Sequence, residues 1–365
     1  MKTTPRIILA IFLFAGAAII GYLQLPMFGK LPDGKRLSRI QKSPRYRDGK
    51  FRNVHETYFT GAVATRIAKF LFSSRKHLDP KLPPPALKTN LETLGPNEDA
   101  LVWFGHSSCL FRLDGKTFLT DPIFSETSSP ILFWPRVFAG TNIYRPEDMP
   151  RIDYLIITHD HWDHLDYETV LKLKPKIGKI ICPLGVGAHF ERWGFDEKMI
   201  LETDWYESVV PEKGITIICC PARHFSGRGV FGNRTLWASF LVKTETFSVY
   251  VGGDGGYDDH CAEIGNRFGP IDLALLNCGQ YDAEWKHNHM TPEEAVRAAK
   301  DLRARKLLPV HVCKLPLAFH NWKEPLERVS KAGERENVAV MTPMIGEKIP
   351  LRSECVFSGW WEECE

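Results

Sequence analysis

The chain has 365 residues, yet no two cysteines are spaced as Cys-x-x-Cys. Its nine cysteines (Cys109, Cys182, Cys219, Cys220, Cys261, Cys278, Cys313, Cys355 and Cys364) are an odd, scattered set, several inside apolar runs. This argues against a disulfide-dependent scaffold and for a reducing compartment, with thiols acting as small buried hydrophobes. Strong charge of one sign is also missing. The formal net charge is only +3, and no dense Lys/Arg tract is interleaved with exposed aromatics, so a nucleic-acid partner is not expected. No internal repeat is visible. What remains is length for a large core, with ten Trp and 12% aromatic residues, as a well-packed globular domain needs.

One long apolar run is present, Ile7 to Leu25, preceded by Lys2 and Arg6. It reaches the ~20 residues that a spanning helix needs. The rival is a cleaved secretory signal, but its small-residue cluster Ala15–Ala18 lies mid-segment and makes a poor cleavage site. An uncleaved single-pass N-terminal transmembrane helix is therefore expected. Lys30, Lys35, Arg36, Arg39, Lys42, Arg45 and Arg47 follow it. By the positive-inside rule the rest of the chain would lie on the cytoplasmic side of the membrane.

Four regions are read: residues 1–27 as the anchor, 28–98 as a basic linker and Pro-rich extension, 99–350 as the main domain, and 351–365 as a tail. Apolar spacing predicts a helix over Glu56–Phe72. Short strands begin at Ala100–Phe104, Cys109–Leu113 and Lys116–Thr120, with Asp114-Gly115 as a tight hairpin turn. Strand and helix signals then alternate. Helices are expected near Tyr167–Leu173, Gly185–Trp193, Asp258–Phe268, Pro292–Ala304 and Trp322–Ala332. Thr291-Pro292-Glu293-Glu294 combines an N-cap, a proline at the first helical position and early acids.

The chemistry concentrates in Thr158-His159-Asp160-His161-Trp162-Asp163-His164-Leu165-Asp166, directly after the apolar run Tyr154–Ile157. Three imidazoles and a carboxylate leave one strand end, and these are the ligands that zinc and similar cations prefer. One His beside one Asp is ordinary; this density is not. Single residues follow other apolar runs: Asp121, His224, Asp254 and His311. Each alone is an ordinary residue more often than a ligand, and only their joint placement points to a metal.

Together these elements resemble the metallo-β-lactamase superfamily, with His159-x-His161-x-Asp163-His164 similar to its signature. Further stretches resemble the branch of N-acyl-phosphatidylethanolamine-hydrolysing phospholipase D and its bacterial relatives. They are Phe104–Ser108, Leu119–Ser125, Ile264–Ala274, His289–Ala295 and Arg45–Asn53. The resemblance implies an α/β (α+β) fold, a four-layer αββα sandwich with its site at one edge. It implies two zinc ions: His159, His161 and His224 on one, Asp163, His164 and His311 on the other, and Asp254 bridging. Asp121 and His106 would support these ligands. It implies hydrolysis of a phospholipid phosphodiester by a metal-activated water, with Asp163, Asp254 and His289 as catalytic residues. His289 would polarise an oxygen or protonate a leaving group, against the alternative of a solvated loop histidine. Arg136, in the apolar stretch Pro130–Phe138, is a candidate substrate contact, against ordinary packing. The chain departs from the family at Gly253-Asp254-Gly255-Gly256, which lacks a hydroxyl, and at Val312-Cys313 after His311. Lactone or ester hydrolysis, and a non-catalytic lipid- or partner-binding sandwich, are the rival functions. The membrane is an expected partner, and pairing into a homodimer stays open.

Overall fold

A computed structural model of the chain describes residues 4–60, 69, 78–95, 98–130 and 135–364. The strands, in chain order, start with a short hairpin, β1 (Tyr46–Arg47) and β2 (Lys50–Phe51). Then follow β3 (Ala100–Trp103), β4 (Cys109–Leu113), β5 (Lys116–Thr120), β6 (Ile152–Ile156), β7 (Ile177–Pro183) and β8 (Ile200–Thr203). The second series is β9 (Ser208–Glu212), β10 (Ile215–Cys220), β11 (Ser239–Lys243), β12 (Ser248–Val251), β13 (Ile271–Asn277), β14 (Ala304–Val310) and β15 (Ala339–Val340). Last comes β16 (Lys348–Pro350). They form two seven-stranded mixed sheets. One runs β16-β3-β4-β5-β6-β7-β8, the other β15-β14-β13-β12-β11-β10-β9.

Both faces of the first sheet are covered, and the side-chain alternation shows how. Leu101, Trp103, Phe111, Phe118 and Ile156 join the core shared with the second sheet. Their neighbours Val102, Leu110, Leu119 and Leu155 join an outer core with Val170, Leu173 and Phe190. Strands buried on both faces read as continuous apolar runs, as these do. Helices α1 (Thr4–Leu23) and α2 (Gly34–Ile40) precede the sheets. Helices α3 (Tyr167–Leu173) and α4 (Gly187–Arg192) lie on the first half. Helices α5 (His260–Phe268), α6 (Pro292–Asp301) and α7 (Glu324–Glu336) lie on the second. The four-layer arrangement is the expected one. Asp114 and Gly115 have φ of 49° and 78°, the two positive values a type I′ hairpin requires. The Thr291 side chain accepts from Glu294 N while the Glu294 carboxylate accepts from Thr291 N, closing the box at the start of α6.

Two expectations are corrected. Among the described residues no helix is long and apolar enough to cross a membrane. The run Ile7–Leu25 does not stay helical to its end: α1 stops at Leu23, and the chain turns through a single 3-10 turn at Pro26–Phe28. The uncharged helical part, Ile7–Leu23, falls short of the ~20 residues of a typical span. The stretch 28–55 is not a bare linker either. It holds α2 and the β1-β2 hairpin, with Ile40 and Phe51 fully buried. The helix expected over Glu56–Phe72 lies mostly outside the described residues, as do 131–134 of the apolar stretch before Arg136.

Candidate metal centre

Apart from His289, which lies just before α6, the converging side chains follow strand ends. β5 is followed by Asp121, β6 by the loop to Asp166, β10 by His224, β12 by Asp254 and β14 by His311. The loop after β6 coils tightly, with His164 N and Leu165 N both donating to His161 O. Next to Asp254, Gly253 has φ of +60°, and a Cβ there would lie 2.7 Å from the Thr158 side chain. That left-handed, crowded position suits only glycine. His106, Asp121 and His311 also have positive φ (53°, 39° and 66°), a cost that clusters at functional sites.

One group gathers His159 Nε2, His161 Nδ1 and His224 Nε2. The first and third lie 2.9 and 3.2 Å from His161 Nδ1. Nitrogens held ~2.0–2.1 Å from a tetrahedral zinc stand about 3.3 Å apart. The far nitrogens settle the tautomers. His224 Nδ1–H donates to Asn288 O at 3.0 Å. The Thr158 hydroxyl donates to Asp121 Oδ2 at 2.6 Å, so at 3.0 Å it accepts from His159 Nδ1–H. Both Nε2 atoms therefore present bare lone pairs inward.

A second group adjoins it. His311 Nε2 lies 3.2 Å from both Asp163 Oδ2 and Asp254 Oδ2. His164 Nε2 lies 3.1 Å from Asp254 Oδ2, while its Nδ1–H donates to Asp121 Oδ2 at 2.8 Å. Asp121 also accepts from Thr158 N, so it aims both His164 and the loop that carries the motif, as a supporting carboxylate should. His106 stands closer in than its supporting role predicted: its Nε2 is 3.0 Å from Asp163 Oδ2. His289 stacks on His311 with ring centroids 5.0 Å apart, and its Nδ1 lies 3.8 Å from Asp254 Oδ2.

Burial opposes charge on six of these histidines and on two of the carboxylates. It holds His159, His161 and His224 below the ordinary imidazole range, and pushes His106 and His289 down to about 3. Burial also works against the Asp163 and Asp254 carboxylates, but the surrounding imidazoles, His164 foremost, hold both well below their usual range. His164 moves the other way: Asp254, Asp163 and Asp121 overcome its burial and raise it well above 6.5. The residues fit divalent cations. Five imidazoles and two ionised carboxylates converge, and Asp254 Oδ1 is buried with no hydrogen-bond partner among the described residues. Such an orphaned acceptor is expensive unless a cation or water meets it.

Arg136 does not join this cluster. It is exposed on a separate cavity of about 490 Å³, with Met27, Phe124, Trp162 and Lys172. The residue between the first two histidines has a role the sequence did not disclose. Asp160 is buried and accepts from Gly227 N, Thr235 Oγ1 and His189 Nε2 at 2.7, 2.8 and 3.0 Å. His189 Nδ1 accepts from Lys30 N at 3.0 Å, which fixes the proton on Nε2. Arg228, buried and pushed down to about 10 by desolvation, donates to Asp160 O, Leu165 O and Met27 O. Trp193 Nε1 donates to Pro26 O and Arg192 to Gln24 O. Residues 24–30 are thus strapped onto the motif loop. Gly29 closes the strap, since a Cβ there would fall on the His189 ring.

Residues 116–312 match the family described as a beta-lactamase superfamily domain. A protein of Mycobacterium tuberculosis is 38% identical over 332 residues, covering 88% of each chain. The N-acyl-phosphatidylethanolamine-hydrolyzing phospholipase D 1 of Caenorhabditis elegans is 36% identical over 249 residues, 63% of this chain and 68% of its own. The novel metallo hydrolase Igni18 of Ignicoccus hospitalis shares the fold, with a TM-score of 0.51 at 22% identity over 69% of this chain and 97% of that one. Sequence match, sheet order and converging ligands agree: the chain belongs to the metallo-β-lactamase superfamily of metal-dependent hydrolases, in the branch of the N-acyl-phosphatidylethanolamine-hydrolysing phospholipases D.

Proposed function

We propose that this chain is a dinuclear zinc phosphodiesterase that cleaves glycerophospholipids of the N-acyl-phosphatidylethanolamine type at a membrane surface. The observation that carries the dinuclear reading is the sharing of Asp254. Its Oδ2 lies 3.1–3.2 Å from His164 and His311, and 3.7 Å from His224 in the other group. One carboxylate thereby touches both ligand sets. When bound, the two cations supply Lewis-acid polarisation of a phosphoryl oxygen and a water of lowered pKa.

The chain's own residues do the rest. His159, His161 and His224 hold one site as neutral imidazoles. Asp163, His164 and His311 hold the other, and the ionised Asp163 and Asp254 balance the cations. His289 is neutral at physiological pH because burial holds it near 3. It therefore serves as a fixed hydrogen-bond partner for a phosphoryl oxygen rather than as a stored proton. Asp121 and His106 aim His164 and Asp163. The substrate class rests on the named C. elegans relative. The membrane setting is supported by the exposed apolar side chains of α1, such as Phe12 and Phe14. The basic residues after it favour the cytoplasmic leaflet.

Two measurements test this reading. Elemental analysis should find about two zinc ions per chain. A panel of phosphodiesters, lactones and thioesters given to the metal-loaded enzyme should show turnover of the phosphodiesters. Hydrolysis confined to lactones would replace the phospholipase reading with the lactonase one.

A further inference from the structure

A second cavity, of about 510 Å³, opens beside the strap at the foot of α1. Its polar lining includes Lys30, Arg192, Arg228 and Arg234, and its apolar lining includes Leu23, Phe28, Val230 and Phe231. The cations come from three separate parts of the chain: the strap, the end of α4, and the loop between β10 and β11. Among the described residues none of the three arginines forms an ion pair. Arg192 gives one N–H to Gln24 O and Arg234 one to Gly49 O, out of the five that a guanidinium carries. Arg234 Nε is buried without a partner. The two acids at the cavity are already engaged. Asp33 pairs with Lys30 on the rim at 2.7 Å, and Asp160 on the floor is held by His189, Thr235 and Gly227. Arg228 faces the Asp160 carboxylate, whereas Arg192 and Arg234 have no acid in ion-pair contact among the described residues and keep donors free.

The apolar side carries the second half of the recognition. Val230 and Phe231 are largely exposed and line the cavity with Leu31 and with Leu23 of α1. Guanidinium forks match phosphate oxygens, and an exposed apolar rim next to them suits chains rather than water. We propose that this cavity binds the phosphate head group of an anionic phospholipid, seated on Arg192 and Arg234 with its chains along Val230 and Phe231. It is distinct from the metal centre, so the lipid held here is a docking lipid and not the one hydrolysed.

The test uses the full-length protein and vesicle flotation. Phosphatidylcholine vesicles are compared with phosphatidylcholine vesicles that contain phosphatidic acid. The wild-type chain is expected to bind the anionic vesicles about tenfold more tightly, a size set by two basic side chains meeting anionic lipid. The double variant Arg192→Ala/Arg234→Ala should lose most of that preference. A control double variant in the exposed basic segment, Lys35→Ala/Lys42→Ala, should keep it. An unchanged preference in the first variant, or an equal loss in the control, would overturn the site in favour of a diffuse basic surface. Should the arginine variant not fold, as judged by circular dichroism, Phe231→Glu decides the matter. It places a negative charge at an exposed position on the cavity wall and should abolish the preference. Inorganic phosphate supplies the remaining arm. Competition against vesicles only at high concentration supports a lipid site. Tight phosphate binding with no vesicle preference would make this a free-anion site and refute the lipid.

Discussion

Asp121 shows how one carboxylate organises a site it does not enter. It accepts from the Thr158 amide and hydroxyl and from His164 Nδ1–H, so it sets the motif loop and frees His164 Nε2 together. Asp121→Ala is expected to lower metal affinity by about 10–100-fold, the usual loss when a ligand's orienting partner is removed. Competition with a chromophoric chelator would measure this, and an unchanged affinity would deny Asp121 that role. Replacing Asp163 or Asp254 by Asn should do more. It removes a charge that balances the cations, so zinc content by elemental analysis should fall below the wild-type value. The candidate ligands were legible in the sequence because each follows an apolar run and four fall within six residues. The part of Asp160 was not legible. Its partners His189, Gly227 and Thr235 lie 29 to 75 residues away, and nothing local marks it. Nor did position alone show that His106 meets Asp163, since that contact spans 57 residues.

At the scale of elements, the strap and the start of α6 both border the site. Residues 24–30 give backbone carbonyls to Arg192, Trp193 and Arg228, and an amide to His189. Arg228 also lies over Trp162 at 4.1 Å, and Phe28 meets the same ring edge-on at 5.2 Å. Arg228→Met keeps the apolar stem and deletes the donors to Met27, Asp160 and Leu165. Metal affinity should drop by about tenfold while far-ultraviolet dichroism stays unchanged. Unaltered affinity in a folded variant would show that the strap does not position the motif loop. Thr291→Ala opens the capping box of α6, two residues after His289. The expected loss is about 1 kcal/mol of stability, read from urea unfolding. The α6 box was legible because all its residues are adjacent. The strands were legible because burial on both faces leaves continuous apolar runs. Within the segment 28–98, read as linker and extension, α2 and the β1-β2 hairpin were not legible for the opposite reason: Ile40 and Phe51 gain their burial from partners that no local pattern reveals.

For the molecule as a whole, the question is what locks the two sheets together beneath the site. One answer is Lys314, three residues after His311 and 1% exposed. It belongs to the second half, yet its ammonium donates to Phe104 O and Ile123 O of the first half at 3.1 and 2.8 Å. Its own carbonyl accepts from Phe138 N. No carboxylate pairs with it among the described residues, and desolvation pushes it down to about 7, with Asp166 and Glu126 opposing at a distance. The unfolded chain keeps an ordinary lysine that releases its proton near pH 10.4. Below pH 7 both states hold the proton, and the folded state bears the full cost of a buried charge. Between about pH 7 and 10 the unfolded state binds the extra proton, so this residue's contribution to stability must rise with pH. Lys314→Met has no proton to lose at this position. The wild-type-minus-variant difference in unfolding free energy should therefore climb from pH 7 upward, by at most about 1.4 kcal/mol per pH unit. Paired guanidinium unfolding curves at pH 6, 7.5 and 9, both chains metal-saturated, would read it. A difference that is flat across that range would mean the buried amine keeps its proton throughout, and that the two halves are joined by a charged latch rather than a neutral one.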